Sequence, residues 1–590
     1  MAEDFEMFFL NQNKPETLQT RNSSNPKPFK PENFKPETLQ TRNISNPKHF
    51  KPETLQTRNP SNPKHFYMQL KETYDFVIIG SGFGGSVSAL RLAEKGYSVL
   101  VIEKGKKFNS DDFAQTNWNL RRWLWIPGLK FFGIQKLNFM RHISAMSGVG
   151  VGGGSLVYAN TLPQPKPAFF NQGSWAGLAD WEKELAPFYD MALKMLGATE
   201  NPVLAESDRA MQKLAIKIGK SENFSPTIVA VYFGEPDVTV KDPYFDGKGP
   251  DRTGCIHCGA CMTGCRHNAK NTLDKNYLHL AQQLGVTILP EHEVTSVKPL
   301  STSGAEGYEI SFRNSTTYFS HSRSIKASSV IFAGGVLGTV PLLLKLKKST
   351  LPGISPRLGH MIRTNNEALI YTTTTDKALE LHKGIAIGSI LEVDENSHLE
   401  PVRYGEGSGF WRLTMVPMVS DRNPILRILK LIVLPFTEPL TWLKVFFVRD
   451  FGRSSTVLLF MQHLDTTLQL RKGIFGIKTR IEKGKAPTPF IPEAHSIAHI
   501  FSDIIKGKPQ IMVNEVFAGI PSTAHILGGA CMGETRNEGV IDSNNKVFGY
   551  ENMYVFDGSM ISANPGVNPS LTITAITERG MSKIVRKMGD

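Results

Sequence analysis

The stretch from Tyr74 to Gly85, Tyr-Asp-Phe-Val-Ile-Ile-Gly-Ser-Gly-Phe-Gly-Gly, constrains this chain more than any other. Its apolar run Phe76–Ile79 suits a strand buried on both faces, as in a parallel sheet. Gly80 permits the tight turn that follows, Gly82 lets the backbone approach a pyrophosphate, and Gly85 lets the next helix pack closely on the sheet. That helix, expected from Gly84 to Lys95, aims its N-terminal N–H groups and positive dipole end at phosphate. A second strand, Val99–Ile102, runs into Glu103, roughly 20 residues beyond the glycines, where an acid hydrogen-bonds a ribose hydroxyl. Strand, glycines, helix, strand and acid in one unit predict a dinucleotide-binding α/β domain.

The expected nucleotide is FAD rather than NAD. Ser147–Leu156 is rich in glycine, with Gly150, Gly153 and Gly154 followed by Ser155, and Asn160 lies just beyond. Side-chain-free backbone of this kind lies flat against a large ligand. Far along the chain, the apolar strand Tyr554–Phe556 leads into Asp557 and Gly558. Asn564–Pro569 and a helix expected from Ser570 to Lys587 follow, elements placed to meet the flavin end of a long cofactor.

With these motifs in order, the chain resembles the GMC (glucose–methanol–choline) FAD oxidoreductases, and among them the cholesterol oxidase-like branch. Further carriers are Val330–Thr339, Arg363–Ala368, His525–Gly529 and Gly566–Pro569. The resemblance runs from about Tyr74 to the C-terminus and thins between Lys377 and Ser455; one departure is Ile526, where the family usually has proline. It implies a discontinuous, Rossmann-like FAD-binding domain over residues 74–162, 255–346 and 523–590. A substrate domain built on an antiparallel β-sheet would take residues 163–254 and 347–522. The resemblance puts Val294 near the adenine; the residue alone reads equally well as an ordinary strand valine.

The implied activity is oxidation of the CH–OH group of a hydrophobic, sterol-like alcohol. FAD accepts hydride at flavin N5 while the protein orients the alcohol and takes its proton. The resemblance assigns the proton to His525 and sets Asn568 beside it. An amide is no base near neutral pH, but it donates a hydrogen bond that fixes the substrate oxygen. Two other readings stay open: a sugar or polyol dehydrogenase relaying electrons to a quinone or protein acceptor instead of dioxygen, and a non-catalytic electron-transfer flavoprotein. The relay would use Cys255, Cys258, Cys261 and Cys265, spaced C-x2-C-x2-C-x3-C like bacterial ferredoxin ligands, though Arg266 replaces the usual proline. An iron–sulfur cluster, zinc and metal-free thiols all suit that spacing.

The remaining segments bear on partners. In residues 1–73 the unit Lys-Pro-Glu-Thr-Leu-Gln-Thr-Arg-Asn begins at Lys14, Lys35 and Lys51. Its prolines and scarce apolar groups predict a disordered extension. The net charge is +13, yet neither a nucleic-acid-binding module nor a dense basic run accompanies it, so no nucleic-acid partner is expected. The acidic N-terminus lacks a signal-peptide core, and no charge-free apolar run is long enough to span a bilayer. A cytoplasmic location is expected, and three segments read equally well as membrane-surface segments or as core helices with snorkelling cations. These are Trp118–Ile126, Ile425–Phe436 and Trp442–Val448, where tryptophan, leucine and basic residues mix as in interfacial segments.

Overall fold

A computed structural model of the chain describes residues 70–588, apart from 422, 465, 474–475 and 484–486. The N-terminal repeats, and the disorder expected of them, lie outside the described residues.

Strand β1 (Thr73–Ile79) pairs in parallel with β2 (Val99–Ile102), so the first apolar run and the one ending at Glu103 lie side by side. On the far side of β2 lies β3 (Thr287–Leu289), also parallel. Strands β4 (His292–Pro299), β5 (Tyr308–Asn314) and β6 (Arg323–Phe332) form an antiparallel meander. β6 then pairs in parallel with both β1 and the short strand Met553–Val555. The sheet is thus a parallel nucleotide-binding core with a meander grown onto β6. Helix α1 (Phe83–Glu94) packs over it, and the close approach depends on Gly85, whose added Cβ would sit 2.1 Å from the Gly80 carbonyl oxygen. The C-terminal helix, Ser570–Ser582, stops short of the expected Lys587.

The second sheet is antiparallel throughout. Its centre is β7 (Ala368–Thr374), β8 (Ser389–Glu392), β9 (Ser397–Val402), β10 (Ser455–Gln462) and β11 (Gly507–Met512), in the order β11-β7-β10-β9-β8. Met415–Pro417 and Phe224–Pro226 add the two edges. Alternation divides the side chains of each strand between two faces. On β7, Ile370 joins a core with Phe460 and the helix residues Ile497 and Phe501, whereas Leu369 and Tyr371 join a separate cluster with Val457 and Leu459. Register places Leu369 opposite Leu459, and Leu459 opposite Glu400 of β9. Glu400 therefore shares a face with Val402, on the apolar side that turns toward the first sheet.

The three segments that suit either a membrane surface or the core divide. Trp123, Leu124 and Trp125 are buried, the two tryptophans against Phe410, Trp411 and Phe132, while Trp118, Asn119, Arg121, Arg122 and Ile126 of the same segment stay exposed. Helices α2 (Pro424–Thr437) and α3 (Pro439–Phe446) differ: Ile425, Leu429, Ile432, Phe436, Leu440, Leu443 and the adjoining Phe447 are all exposed. Among the described residues no helix is long and apolar enough to cross a membrane.

Candidate active site

One cavity of about 620 Å³ joins the two sheets. At one end it is walled by Gly80, Gly82, Glu103, Gly153, Gly154 and Val294. Farther along come Gly334, Gly335 and the start of the helix Val336–Leu346, Asp557 and Gly558, then His525 and Asn568. It continues into an apolar chamber lined by Leu369, Tyr371, Val402, Trp411, Leu459 and Met512.

The glycine end has the form of a dinucleotide cradle. Gly80 has φ +104°, and a Cβ there would lie 2.5 Å from the Ala333 carbonyl oxygen, so the turn tolerates no side chain. At Gly82 an added Cβ would find no protein atom closer than 3.9 Å, so a side chain would fill cavity space instead of colliding with the fold. That is the pattern left when a ligand, not packing, demands the glycine. Glu103 accepts hydrogen bonds from the Ser81 N–H (3.1 Å), the Ser81 hydroxyl (2.8 Å) and the Gly105 N–H (2.8 Å), which fixes its carboxylate on the cavity wall. Buried Asp557 accepts from the Gly335 N–H, Thr339 hydroxyl, Ser559 N–H and Ser559 hydroxyl. Burial pushes its carboxyl up, and these four donors oppose the shift.

Three expected contacts stand back from the wall. A Cβ at Gly150 would strike Leu156 and Phe108, so its glycine serves loop packing. Ser155 is fully buried; its hydroxyl donates to the Gly152 carbonyl (2.7 Å) and accepts the Leu273 N–H (3.0 Å). Asn160 is buried at φ +71°, beside Cys261. Gly85 likewise acts in helix packing, as its motif position implies.

At the other end, His525 Nδ1 lies 2.8 Å from Glu367 Oε1. Glu367 also accepts from the Thr523 hydroxyl (2.8 Å) and the Ala524 N–H (3.0 Å). Burial disfavours a charged His525, but the Glu367 carboxylate outweighs it, with Glu400 adding to the effect, and the imidazole pKa is raised. The Asn568 amide nitrogen lies 3.3 Å from Glu400 Oε2, while its amide oxygen is buried without a partner. His398 Nε2 stands 3.6 Å from Glu400 on the other side. Neither glutamate was singled out as a site residue by sequence reasoning. Glu367 falls inside the Arg363–Ala368 motif; a carboxylate entering a run of buried strand residues is the signal that would have found it.

The four clustered cysteines face a different space. All are free thiols around a cavity of about 20 Å³, little more than one water needs. Burial, reinforced by neighbouring thiols, pushes Cys258 up to about 11 and raises Cys255 and Cys261 as well. Among the described residues no group of three His, Cys, Asp or Glu side chains is arranged to hold a metal ion. Of the readings the spacing left open, iron–sulfur and zinc ligation find no support in the geometry, since the space among the thiols is about 20 Å³. Lys270 covers this pocket, donating to the Cys261 and Leu156 carbonyls.

Comparison with known proteins agrees with the motifs. Residues 245–361 and 483–577 match GMC oxidoreductase, and residues 75–128 match an FAD binding domain. A cholesterol oxidase of Acinetobacter baumannii is 42% identical over 527 residues, covering 87% of this chain and 95% of that protein. One from Mycobacterium tuberculosis is 41% identical over 531 residues, covering 87% and 91%. Pyridoxine 4-oxidase from Mesorbium loti has the same fold, with a TM-score of 0.56 at 15% identity over 86% of this chain and 98% of that one.

Proposed function

The chain belongs to the GMC oxidoreductase family, in its cholesterol oxidase-like branch, and we propose that it oxidises a hydrophobic, sterol-like alcohol with dioxygen as the final acceptor. It is an FAD-dependent alcohol oxidoreductase. The observation that carries the finer reading is the single cavity running from the glycine cradle, past His525 and Asn568, into an apolar chamber. A polyol would leave its hydroxyls unpaired against Leu369, Val402 and Leu459, at a cost of about 1–3 kcal/mol for each group. An apolar ring system gains from the same walls.

When bound, FAD supplies the acceptor for the carbinol hydrogen. Gly80, Gly82, Gly153 and Gly154 would hold its pyrophosphate, Glu103 its ribose and Val294 its adenine, and Asp557 and Gly558 would stand toward the flavin. His525 takes the hydroxyl proton, and Asn568 donates an N–H that holds the alcohol oxygen. The apolar chamber excludes water, which strengthens both interactions. Over a full cycle the alcohol loses two electrons and two protons to become a ketone or aldehyde, and dioxygen gains them as hydrogen peroxide. The lobe carrying the cofactor takes residues 74–162, 255–346 and 523–590, with the substrate lobe made from the segments between.

The alcohol is supplied from a lipid surface. α2 and α3 present apolar side chains with Lys430, Lys444 and Arg449 exposed among them, and Glu438 is the lone acid from Pro424 to Arg449. This composition suits a segment lying in the headgroup region of an anionic bilayer.

The test is turnover in air with a panel of sterols, long-chain alcohols and sugars. One peroxide per ketone from a sterol, with sugars inert, is the expected result. Oxidation of sugars alone, or turnover that needs a quinone, would overturn the reading.

A further inference from the structure

We propose that Glu367 is a positioning residue, holding His525 in the tautomer that carries its proton on Nδ1 and turns Nε2 toward the alcohol. The proposal rests on the role of His525 given above. A neutral imidazole has one N–H and one lone pair, and a carboxylate only accepts. The 2.8 Å contact between Nδ1 and Glu367 Oε1 therefore places the proton on Nδ1. Nε2, the nitrogen left over on a ring that lines the cavity, is then the base. As Nε2 takes the alcohol's proton, the neighbouring Glu367 carboxylate stabilises the imidazolium.

The surroundings support this over a purely structural role. The Glu367 side chain has no solvent exposure, and a charge in such a place is destabilising unless partners hold it. Two of its hydrogen bonds, from the Thr523 hydroxyl and the Ala524 N–H, serve to tie the loop. The third goes to the ring of His525 and does nothing for the backbone. The second carboxylate acting on His525 is Glu400 of β9, itself 3.6 Å from His398 and 3.3 Å from Asn568. Glu367 thus approaches from the start of β7 while Glu400 acts from across the sheet.

The experiment compares Glu367→Gln and Glu367→Asp with wild-type holoenzyme. In E367Q, FAD content and half-saturating alcohol concentration should stay unchanged, while anaerobic flavin reduction slows about tenfold to hundredfold, part of the worth of a positioned base. With the carboxylate charge gone, the His525 pKa falls. The acid limb of the rate profile then moves to lower pH by about one unit or more. E367D keeps the charge, so its acid limb should stay nearer wild type and part of the rate should return. An unmoved acid limb in folded, FAD-replete E367Q would overturn the proposal. Wild-type protein labelled with ¹⁵N-histidine gives a test that needs no Glu367 variant to fold, with the His525 signals assigned by their loss in His525→Ala. A protonated Nδ1 and an unprotonated Nε2 above the imidazole pKa are expected, and the opposite tautomer would overturn the assignment. If the tautomer is as expected but His525→Ala reduces its flavin at the wild-type rate, it is the functional reading that fails.

Discussion

Glu515 offers a prediction whose magnitude follows from the structure. It lies on helix α4 (Val513–Ala518), is 2% exposed, and accepts the Ser522 N–H at 3.3 Å. Burial raises its pKa from the ordinary 4.5 to about 8, against the pull of hydrogen bonds from Ser522 and Met512. The folded protein therefore holds this proton where the unfolded chain has released it. The stabilisation is fully present below pH 4.5 and is lost as the pH rises through about 8. At about 1.4 kcal/mol per pH unit, the loss at pH 7 is on the order of 3 kcal/mol. Glutamine has the shape of the protonated carboxyl and cannot ionise, so Glu515→Gln removes the slope. For a folded body of about 520 residues the gain amounts to about 3 °C in melting temperature at pH 7 and close to nothing at pH 4.5. Melting curves of holoenzyme and variant, taken at one scan rate from pH 4.5 to 8.5, measure the difference directly. A difference that does not change with pH would refute the reasoning, because Glu515 would then titrate alike in both states.

Two further predictions concern the lipid-facing helices and the cysteines. Phe436→Ser with Leu440→Ser should weaken binding to anionic vesicles at least tenfold, given about 1.5–3 kcal/mol for each large apolar side chain buried, while leaving turnover of a dissolved alcohol unchanged; equal sedimentation with vesicles would remove the docking role. Cys258→Ser with Cys261→Ser should leave the rate of flavin reduction within about twofold of wild type, since all four thiols stand away from the cavity that holds His525; a larger loss in folded, FAD-replete variant would contradict this.

What was legible in the sequence was what is local in it. Strand, turn, helix and acid from Tyr74 to Glu103 lie within one β-α-β unit, and each residue's task follows from its neighbours, so the reading and the fold coincide. Glycine runs are less specific. Gly153 and Gly154 line the cavity whereas Gly150 and Ser155 brace the loop behind it, because close backbone packing and close ligand approach select the same residue. Trp118–Ile126 mixes aromatic and basic residues as an interfacial segment does, but Trp123 and Trp125 turn into the core, a direction that composition does not carry. The two glutamates beside the site are set by β7 and β9. Glu367 meets His525 across 158 residues, and only the sheet register and the loop after Ser522 bring them together.

The central claim is that His525 takes the alcohol's proton beside bound FAD. It is tested most directly by mixing holoenzyme anaerobically with a sterol and following the flavin absorbance, for wild type and His525→Ala. Wild type should bleach within a turnover, and the variant, with its FAD retained, should bleach about 10²–10⁴ times more slowly. Bleaching of the variant at the wild-type rate, or wild-type flavin left oxidised by every hydrophobic alcohol supplied, would contradict the account.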